Sequence, residues 1–158
     1  MQLSQPVEWS LHCAWLLGQI PDRTALPGRR LAEFYGLPEP YLAKVLKALT
    51  SAGILTAVSG PRGGYRLGRP AGQITVLDIV QATEGSRPVF RCAEIRQRGP
   101  FPLPAEECAR PCGIAAIMSQ AEQAWRDQLA AATVASLIAE ASPSSAARAR
   151  EWLSSIKR

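Results

Sequence analysis

The sequence has 158 residues, enough for one domain with a sizeable core or for a small domain with an appendage. With 47% hydrophobic and 20% charged residues, no apolar run of membrane-spanning length and no cleavable signal at its start, it predicts a cytoplasmic protein without a membrane partner. A formal net charge of +5 is compatible with a nucleic-acid partner, but it does not by itself establish one.

The positive charge is concentrated between residues 28 and 69. This segment has seven basic and two acidic residues, so it carries the whole excess of +5, and the rest of the chain sums to zero. A basic segment confined to one part of a chain is typical of a DNA contact. The basic residues are Arg29, Arg30, Lys44, Lys47, Arg62, Arg66 and Arg69.

An N-terminal helix is predicted over residues 7–19, which contain the chain's only histidine. Glu8 and His12 are four residues apart, so they share one face of this helix. Cys13 points about 100° away from His12 around the helix axis, and we expect it to pack as a small buried hydrophobe.

Two further helices form a helix-turn-helix pattern. The first is predicted over 28–35 with Gly36 as its C-cap, and the second over 38–52 with its prolines confined to the first turn. A short helix, a tight turn and a longer helix with outward basic residues is typical of DNA-binding units. We expect Tyr41, Lys44 and Lys47 to face the major groove.

A β-hairpin is predicted directly after this unit, with strands at 54–58 and 65–67 joined by SGPRGG. This makes the unit a winged helix-turn-helix. Arg62 at the wing tip is expected to reach the DNA backbone or minor groove, beside Gly63, Gly64 and Tyr65. A helix over 74–82 follows, with Thr75 and Asp78 as an approximate capping box.

A cysteine loop, CAEIRQRGPFPLPAEECARPC, holds three of the four cysteines of the chain. Its prolines break helix and strand patterns, and such a loop buries little apolar surface of its own. It needs a metal, a cluster, a disulfide or a partner surface to hold it. Our hypothesis is that the loop holds an iron–sulfur cluster.

The longest helical pattern covers residues 114–140, and SPSS at 142–145 separates it from a final helix at 146–156. The helix predicted over 114–140 has many small and apolar residues and lies outside the winged unit. This pattern favours a dimer interface, although packing within the monomer is the alternative. The predicted fold is mainly α with a small β-hairpin wing (α+β). Its parts are the winged helix-turn-helix at 1–84, the cysteine loop at 85–113, the dimerisation helix at 114–141 and the C-terminal helix at 142–158.

The order of winged helix, glycine-rich wing, cysteine loop and long helix resembles the Rrf2 family of bacterial transcription regulators over roughly residues 7–140. The matching stretches are YLAKVLKALTSAGIL, GPRGGYRLGRPAGQITVLDIVQATEG and the three loop cysteines. The resemblance implies a homodimeric repressor or activator that binds double-stranded DNA at a palindromic operator, with each winged domain in one half-site. In cluster-binding members, three loop cysteines and a non-cysteine ligand hold iron–sulfur.

The candidate ligands are the thiolates of Cys92, Cys108 and Cys112 together with His12 and Glu8. Iron–sulfur clusters are usually held by cysteine, and imidazole or carboxylate substitutions occur. If Glu8 and His12 both bind the metal, Cys92 and Cys112 suffice. If Glu8 does not, Cys108 is the third thiolate. The expected cluster is of the [2Fe–2S] type.

Three other interpretations of the loop remain open at this point. Zinc is the main rival occupant, because three cysteines and one histidine make a good tetrahedral set. An empty loop with a disulfide switch is another possibility. A metal-dependent enzyme is disfavoured, because the sequence has no nucleotide-binding loop and no Ser/His/Asp set. The expected function is therefore a transcription regulator responsive to cluster or redox state.

Overall fold

The computed structural model describes residues 3–21 and 24–156. Short 3₁₀ turns lie at Ala71–Gln73 and Ile95–Gln97. In chain order the described residues form helices α1 to α7 and strands β1 and β2: α1 Gln5–Leu17, α2 Gly28–Tyr35, α3 Glu39–Ser51, β1 Leu55–Val58, β2 Gly64–Leu67, α4 Val76–Glu84, α5 Gly113–Ala131, α6 Val134–Ala139 and α7 Pro143–Ser155. The prediction of a mainly helical chain with one β-hairpin is confirmed.

The chain divides into two compact units. One comprises the described residues up to Ser86 and from Leu129 onward, and is here called the winged-helix unit. The other, Arg87–Gln128, is called the loop unit.

The core of the winged-helix unit is built by α1 to α4. Leu16, Leu31, Leu49 and Ile79 are fully buried and belong to one hydrophobic cluster. Helix α2 has the predicted bounds, and Gly36 ends it in the left-handed conformation at φ 64°, where glycine lacks the steric penalty of a side chain.

The hairpin is antiparallel, with Leu55 opposite Leu67 and Val58 opposite Gly64. Tyr65 of β2 also pairs with Leu26. The Tyr65 amide donates to the Leu26 carbonyl at 2.8 Å, and the Leu26 amide donates to the Tyr65 carbonyl at 2.9 Å. Gly64 has φ 147°, and a Cβ there would collide with the Leu26 carbonyl. The position therefore requires glycine.

The N-terminal cap predicted for the helix after the wing is confirmed. The Thr75 hydroxyl accepts from the Asp78 amide at 3.0 Å, and the Asp78 carboxylate accepts from the Thr75 amide at 3.0 Å. The helix itself runs over Val76–Glu84, two residues later than the predicted 74–82. Similarly, α1 begins two residues before the predicted 7–19, since proline is tolerated in a first turn.

The single helix predicted over 114–140 is wrong, because the chain breaks between α5 and α6. Residues 132–134 extend and pair with 74–76, through the Val76 amide to the Ala132 carbonyl and the Val134 amide to the Ile74 carbonyl, both at 2.9 Å. Thr133 then caps α6 by a second capping box with Ser136. The pairing and the new cap together replace the helical hydrogen bonds lost at the break.

The break predicted at 142–145 is also wrong in part, because α7 already begins at Pro143. Ser142 is its N-cap and accepts from the Ser145 amide at 3.2 Å. Proline is well suited to the first helical position, since its missing N–H has no helical partner there. The SPSS segment is thus a helix start.

Candidate DNA-binding surface and cysteine loop

Helix α3 presents the three residues predicted to read DNA on its exposed side. Tyr41 is 62% exposed, and Lys44 and Lys47 are exposed as well, while Leu42 and Leu49 on the other side are buried. The Lys44 Nζ lies 5.4 Å from the centre of the Tyr41 ring, a cation–π distance. The helix therefore offers an aromatic and cationic surface to solvent.

The wing residues divide into one exposed cation and three residues with contacts inside the unit. Arg62 is exposed in the turn between β1 and β2. A Cβ at Gly63 would collide with the Val58 carbonyl, so the tight turn itself requires this glycine. The half-buried Tyr65 ring packs against the start of α2 at Gly28. The predicted DNA contacts of Gly63, Gly64 and Tyr65 stay predictions.

Arg29 is a further exposed cation beside this surface that the sequence did not single out. It lies at the start of α2 and lines a shallow depression together with Glu39 and Tyr65. Its place in the basic segment was visible in the sequence. The proximity of α2, α3 and β2 at this point depends on tertiary packing.

Glu8 and His12 are both exposed on α1 and line one groove of about 360 Å³, here called the α1 groove. The His12 ring lies 5.4 Å from the Tyr35 ring, and the Tyr35 hydroxyl donates to the His12 carbonyl at 2.7 Å. These contacts fix α1 against α2 at this turn. The carboxylate and the imidazole therefore share an accessible face, as their spacing predicted.

Cys13 is fully buried, as expected from its position on α1. Burial raises the pKa of its thiol to about 12. Metal ligation needs a thiolate, so the structure separates Cys13 from the three cysteines of the loop.

The three loop cysteines are free thiols with different surroundings. Cys92 is exposed, while Cys108 and Cys112 are half-buried. The Ala115 amide donates to the Cys112 sulfur at 3.5 Å, at the beginning of α5. A helix N-terminus favours negative charge, and a thiolate ligand carries one.

Arg96 organises the segment between the cysteines. Its guanidinium donates to the Glu94 carboxylate at 2.8 Å and to the Arg110 carbonyl at 3.1 Å. The hydrogen bond between Glu94 and Arg96 lowers the pKa of the Glu94 carboxyl and raises the pKa of Arg96. The nearby Cys108 and Cys112 also raise the pKa of Arg96. Loss of hydration raises the pKa of Cys108, and Arg96 opposes it. Both thiols thus lie within the field of one cation.

The donors present fit an iron–sulfur group in kind, since thiolates are its usual ligands and imidazole or carboxylate can replace one. Cys108 and Cys112 share the field of Arg96, and Glu8 and His12 share the α1 groove. Over residues 3–21 and 24–156, no three His, Cys, Asp or Glu side chains of one chain lie together as a metal site. The candidate donors in the winged-helix unit are Glu8 and His12, and those in the loop unit are Cys92, Cys108 and Cys112.

Helix α5 contributes no buried residue, although it is 19 residues long. Ile114 is 68% exposed, Ile117 60% and Met118 39%. Such a row of exposed apolar side chains marks an interaction surface. Among the described helices, none is both long and apolar enough to cross a bilayer.

Similarity to known proteins identifies the family of this chain. A family model described as Rrf2, an iron-dependent transcriptional regulator, matches residues 3–140. The chain belongs to the Rrf2 family. Protein aau3 of Rhizobium meliloti (strain 1021) is 34% identical over 140 residues, which cover 87% of this chain and 82% of that protein.

Solved structures of two regulators share the fold. CymR, the global cysteine regulator of B. subtilis, is 21% identical with a TM-score of 0.66, over 90% of this chain and 99% of CymR. IscR of T. potens is 23% identical with a TM-score of 0.66, over 91% of this chain and 90% of IscR. As an Rrf2 protein, the chain is a DNA-binding transcription regulator and not an enzyme.

Proposed function

We propose that this Rrf2 protein is a homodimeric regulator whose operator affinity depends on the presence or redox state of an iron–sulfur cluster, of the [2Fe–2S] type. The observation that carries the proposal is that one chain combines an exposed cationic recognition helix with three free thiols in a proline-rich loop. The long loop and the VEWSLHC start resemble most the redox-sensing member of the family called RsrR.

DNA binding is assigned to α3 and the wing. Tyr41, Lys44 and Lys47 enter the major groove, and Arg62 reaches the backbone or the minor groove, with Gly63, Gly64 and Tyr65 shaping the wing beside it. Their exposure on α3 and at the wing tip supports this assignment for the first four residues. A palindromic operator follows if two copies present their α3 helices symmetrically.

Lys47 tests the DNA assignment. If Lys47 contacts a phosphate, Lys47→Ala weakens binding to all DNA sequences alike and reduces the slope of log affinity against log salt by about one. Glu33→Ala on α2 is the matched control, since Glu33 is exposed and its ion pair with Arg30 lies on the helix surface. An unchanged affinity and slope in Lys47→Ala would contradict the phosphate contact.

Homodimerisation is assigned to α5. Burying Ile114, Ile117 and Met118 against a second copy would stabilise the dimer by removing their apolar surface from water. Ile117→Glu should shift the protein toward the monomer in analytical ultracentrifugation, whereas Gln123→Glu on the same helix should not.

The cluster ligands are drawn from Cys92, Cys112, His12, Glu8 and Cys108. When bound, the cluster supplies a one-electron change of charge and a link among its ligands. Cys112 has its sulfur at the start of α5. His12 and Glu8 expose an imidazole and a carboxylate on α1 of the winged-helix unit. Ligation by both segments, in one chain or across the dimer, would couple the loop's chemistry to the position of the recognition helix.

The alternative to a cluster is a zinc ion bound by the loop or a thiol/disulfide switch between its cysteines. It is supported by one observation: Cys108 and Cys112 both act on the charge of Arg96, so the two thiols share one neighbourhood. Zinc would make the loop structural, without a redox response. A disulfide would form only under oxidising conditions.

Visible absorption and metal analysis of anaerobically purified protein distinguish these occupants. The proposal predicts a coloured protein that contains iron and sulfide, and loss of that colour in Cys92→Ala and Cys112→Ala. Cys13→Ala is the control, because the buried Cys13 is not a ligand and its loss should leave the spectrum intact. A colourless protein with stoichiometric zinc would contradict the cluster and support the alternative.

A further inference from the structure

A cavity of about 370 Å³ lies within the winged-helix unit, between α1, α2, α6 and α7. Trp15, Phe34 and Tyr35 form aromatic walls, and Leu11 and Leu137 add aliphatic surface. Its volume falls in the range of pockets that bind small molecules. None of the contacts assigned above to DNA or to the dimer uses this space.

The cavity exists because α7 packs onto α2. Ala149 and Leu153 of α7 are buried, and the Trp152 ring lies 4.8 Å from the Phe34 ring. Helix α7 lies beyond the residues 3–140 that match the family model. The fourth wall of the cavity therefore comes from a segment outside that match.

The charge of the lining is one-sided. Arg148 places its guanidinium 4.5 Å from the centre of the Phe34 ring and donates to the Phe34 carbonyl at 2.9 Å. His12 is the other basic group, and among the described residues that line the cavity none is acidic. The Tyr35 hydroxyl donates to the His12 carbonyl at 2.7 Å.

We propose that this cavity binds a small amphipathic carboxylate, with its apolar part between Trp15 and Leu137 and its carboxylate on Arg148. Guanidinium has five N–H donors in a fork that matches a carboxylate, and the contact with Phe34 uses one of them. Aromatic walls favour a ring or a branched aliphatic group, and a lining that holds a guanidinium and no carboxylate favours an anion.

The site is connected to the DNA-binding helices by direct contact. Phe34 and Tyr35 are the last two residues of α2, the helix that precedes α3 in the helix-turn-helix. A ligand that fills the cavity therefore touches the support of the recognition helix. The cavity takes no lining residue from the cysteine loop, and among the described lining residues only His12 is also a candidate cluster ligand. Binding is therefore measured on the cluster-free protein, where it is observable whether or not the cluster proposal holds.

Calorimetric titration of the full chain with 3-phenylpropionate and with its neutral analogue 3-phenylpropan-1-ol tests the site. The acid should bind more tightly than the alcohol by about tenfold or more, since charge-assisted hydrogen bonds are the strong ones. Arg148→Gln should remove that preference. Arg150→Gln, an exposed arginine on the same helix with a bond to its own helix backbone, should retain it.

Ala141→Phe provides a second variant, because Ala141 lines the cavity and a larger side chain at this position takes up its space. It should abolish binding of both compounds while circular dichroism shows a folded protein. Equal affinities for acid and alcohol, an acid preference that survives Arg148→Gln, or binding that survives Ala141→Phe would each overturn the proposal. So would absence of binding of both compounds to the unmodified chain at millimolar concentration.

Discussion

The winged-helix unit is stabilised internally by a hydrophobic core, whereas the loop unit is stabilised internally by polar contacts. Every buried hydrophobic side chain among the described residues belongs to the winged-helix unit, whereas no residue of Arg87–Gln128 is buried. The loop unit relies instead on polar contacts, such as Arg96 with Glu94 and the Val89 amide with the Glu122 carboxylate at 3.1 Å. A unit without a core is more easily remodelled by what binds its thiols.

This difference suggests a division of labour. The DNA-reading surface needs a fixed geometry, and close packing around Leu49 and Ile79 supplies it. If the loop unit senses a cluster, as proposed, it needs to change with that ligand, and a polar network with exposed backbone can do so at small cost. The predictions below test that division, beginning with the largest effect.

Core truncation should affect only the winged-helix unit. Leu49→Ala removes a fully buried side chain and should lower the free energy of unfolding by about 2–5 kcal/mol, because a cavity remains. Ile95→Ala in the loop unit, where the side chain is 73% exposed, should change it by less than about 0.5 kcal/mol. Urea denaturation measures both, and equal losses would contradict the division.

High pH should weaken the winged-helix unit through Cys13. Its thiol pKa is 9.0 in an unperturbed chain and about 12 when folded, so above pH 9 the unfolded chain loses a proton that the folded chain keeps. Stability therefore falls with rising pH, by at most about 1.4 kcal/mol per pH unit.

Burial also raises the pKa of Tyr35 above its ordinary value of 10.0, so Tyr35 contributes to the loss of stability mainly above pH 10. The dependence of stability on pH is therefore measured below pH 10. Cys13→Ala should flatten the slope, while Cys92→Ala in the loop unit should leave it unchanged. A slope that is the same in Cys13→Ala and the unmodified protein would contradict the assignment.

The cap of α4 should matter less than the core. Thr75→Ala removes the acceptor of the Asp78 amide and should cost about 1 kcal/mol in chemical denaturation. Thr75→Ser keeps the hydroxyl and should recover most of that loss. If serine were as destabilising as alanine, the methyl group rather than the cap would be responsible.

Local hydrogen exchange should reveal the role of Arg96 in the loop unit. Arg96→Met removes the guanidinium contacts with Glu94 and the Arg110 carbonyl, so amides of the loop should exchange faster. The urea midpoint of the winged-helix unit should not change. Slower exchange in the loop, or a lowered midpoint, would show that Arg96 has another role.

Local signals explain which elements the sequence predicted well. The bounds of α2 follow from glycine at its end, and the Thr75 cap from its spacing to Asp78. The break after α5 was missed because Thr133 and Ser136 lie inside an alanine-rich run that continues a helical pattern. What opens the chain there is pairing with residues 74–76, nearly sixty positions earlier in the sequence.

The candidate sites show the same limit. Sequence spacing placed Lys44 and Lys47 on an exposed face and Cys13 in the core, because both depend on helical periodicity. Nothing in the sequence indicates the cavity proposed to bind a carboxylate, since its Arg148 contacts Phe34, which is 114 positions away in the chain. The proposed choice among Cys108, Glu8 and His12 as metal ligands likewise depends on contacts that spacing does not determine.

Operator affinity measured in three states of the same protein tests the central proposal most directly. A genomic footprint identifies the operator, and binding to it is then compared for oxidised, reduced and cluster-free protein at one salt concentration. The account predicts that the cluster-free protein differs from at least one loaded state by about tenfold or more, which is about 1.4 kcal/mol between two arrangements. Equal affinity in all three states would contradict it.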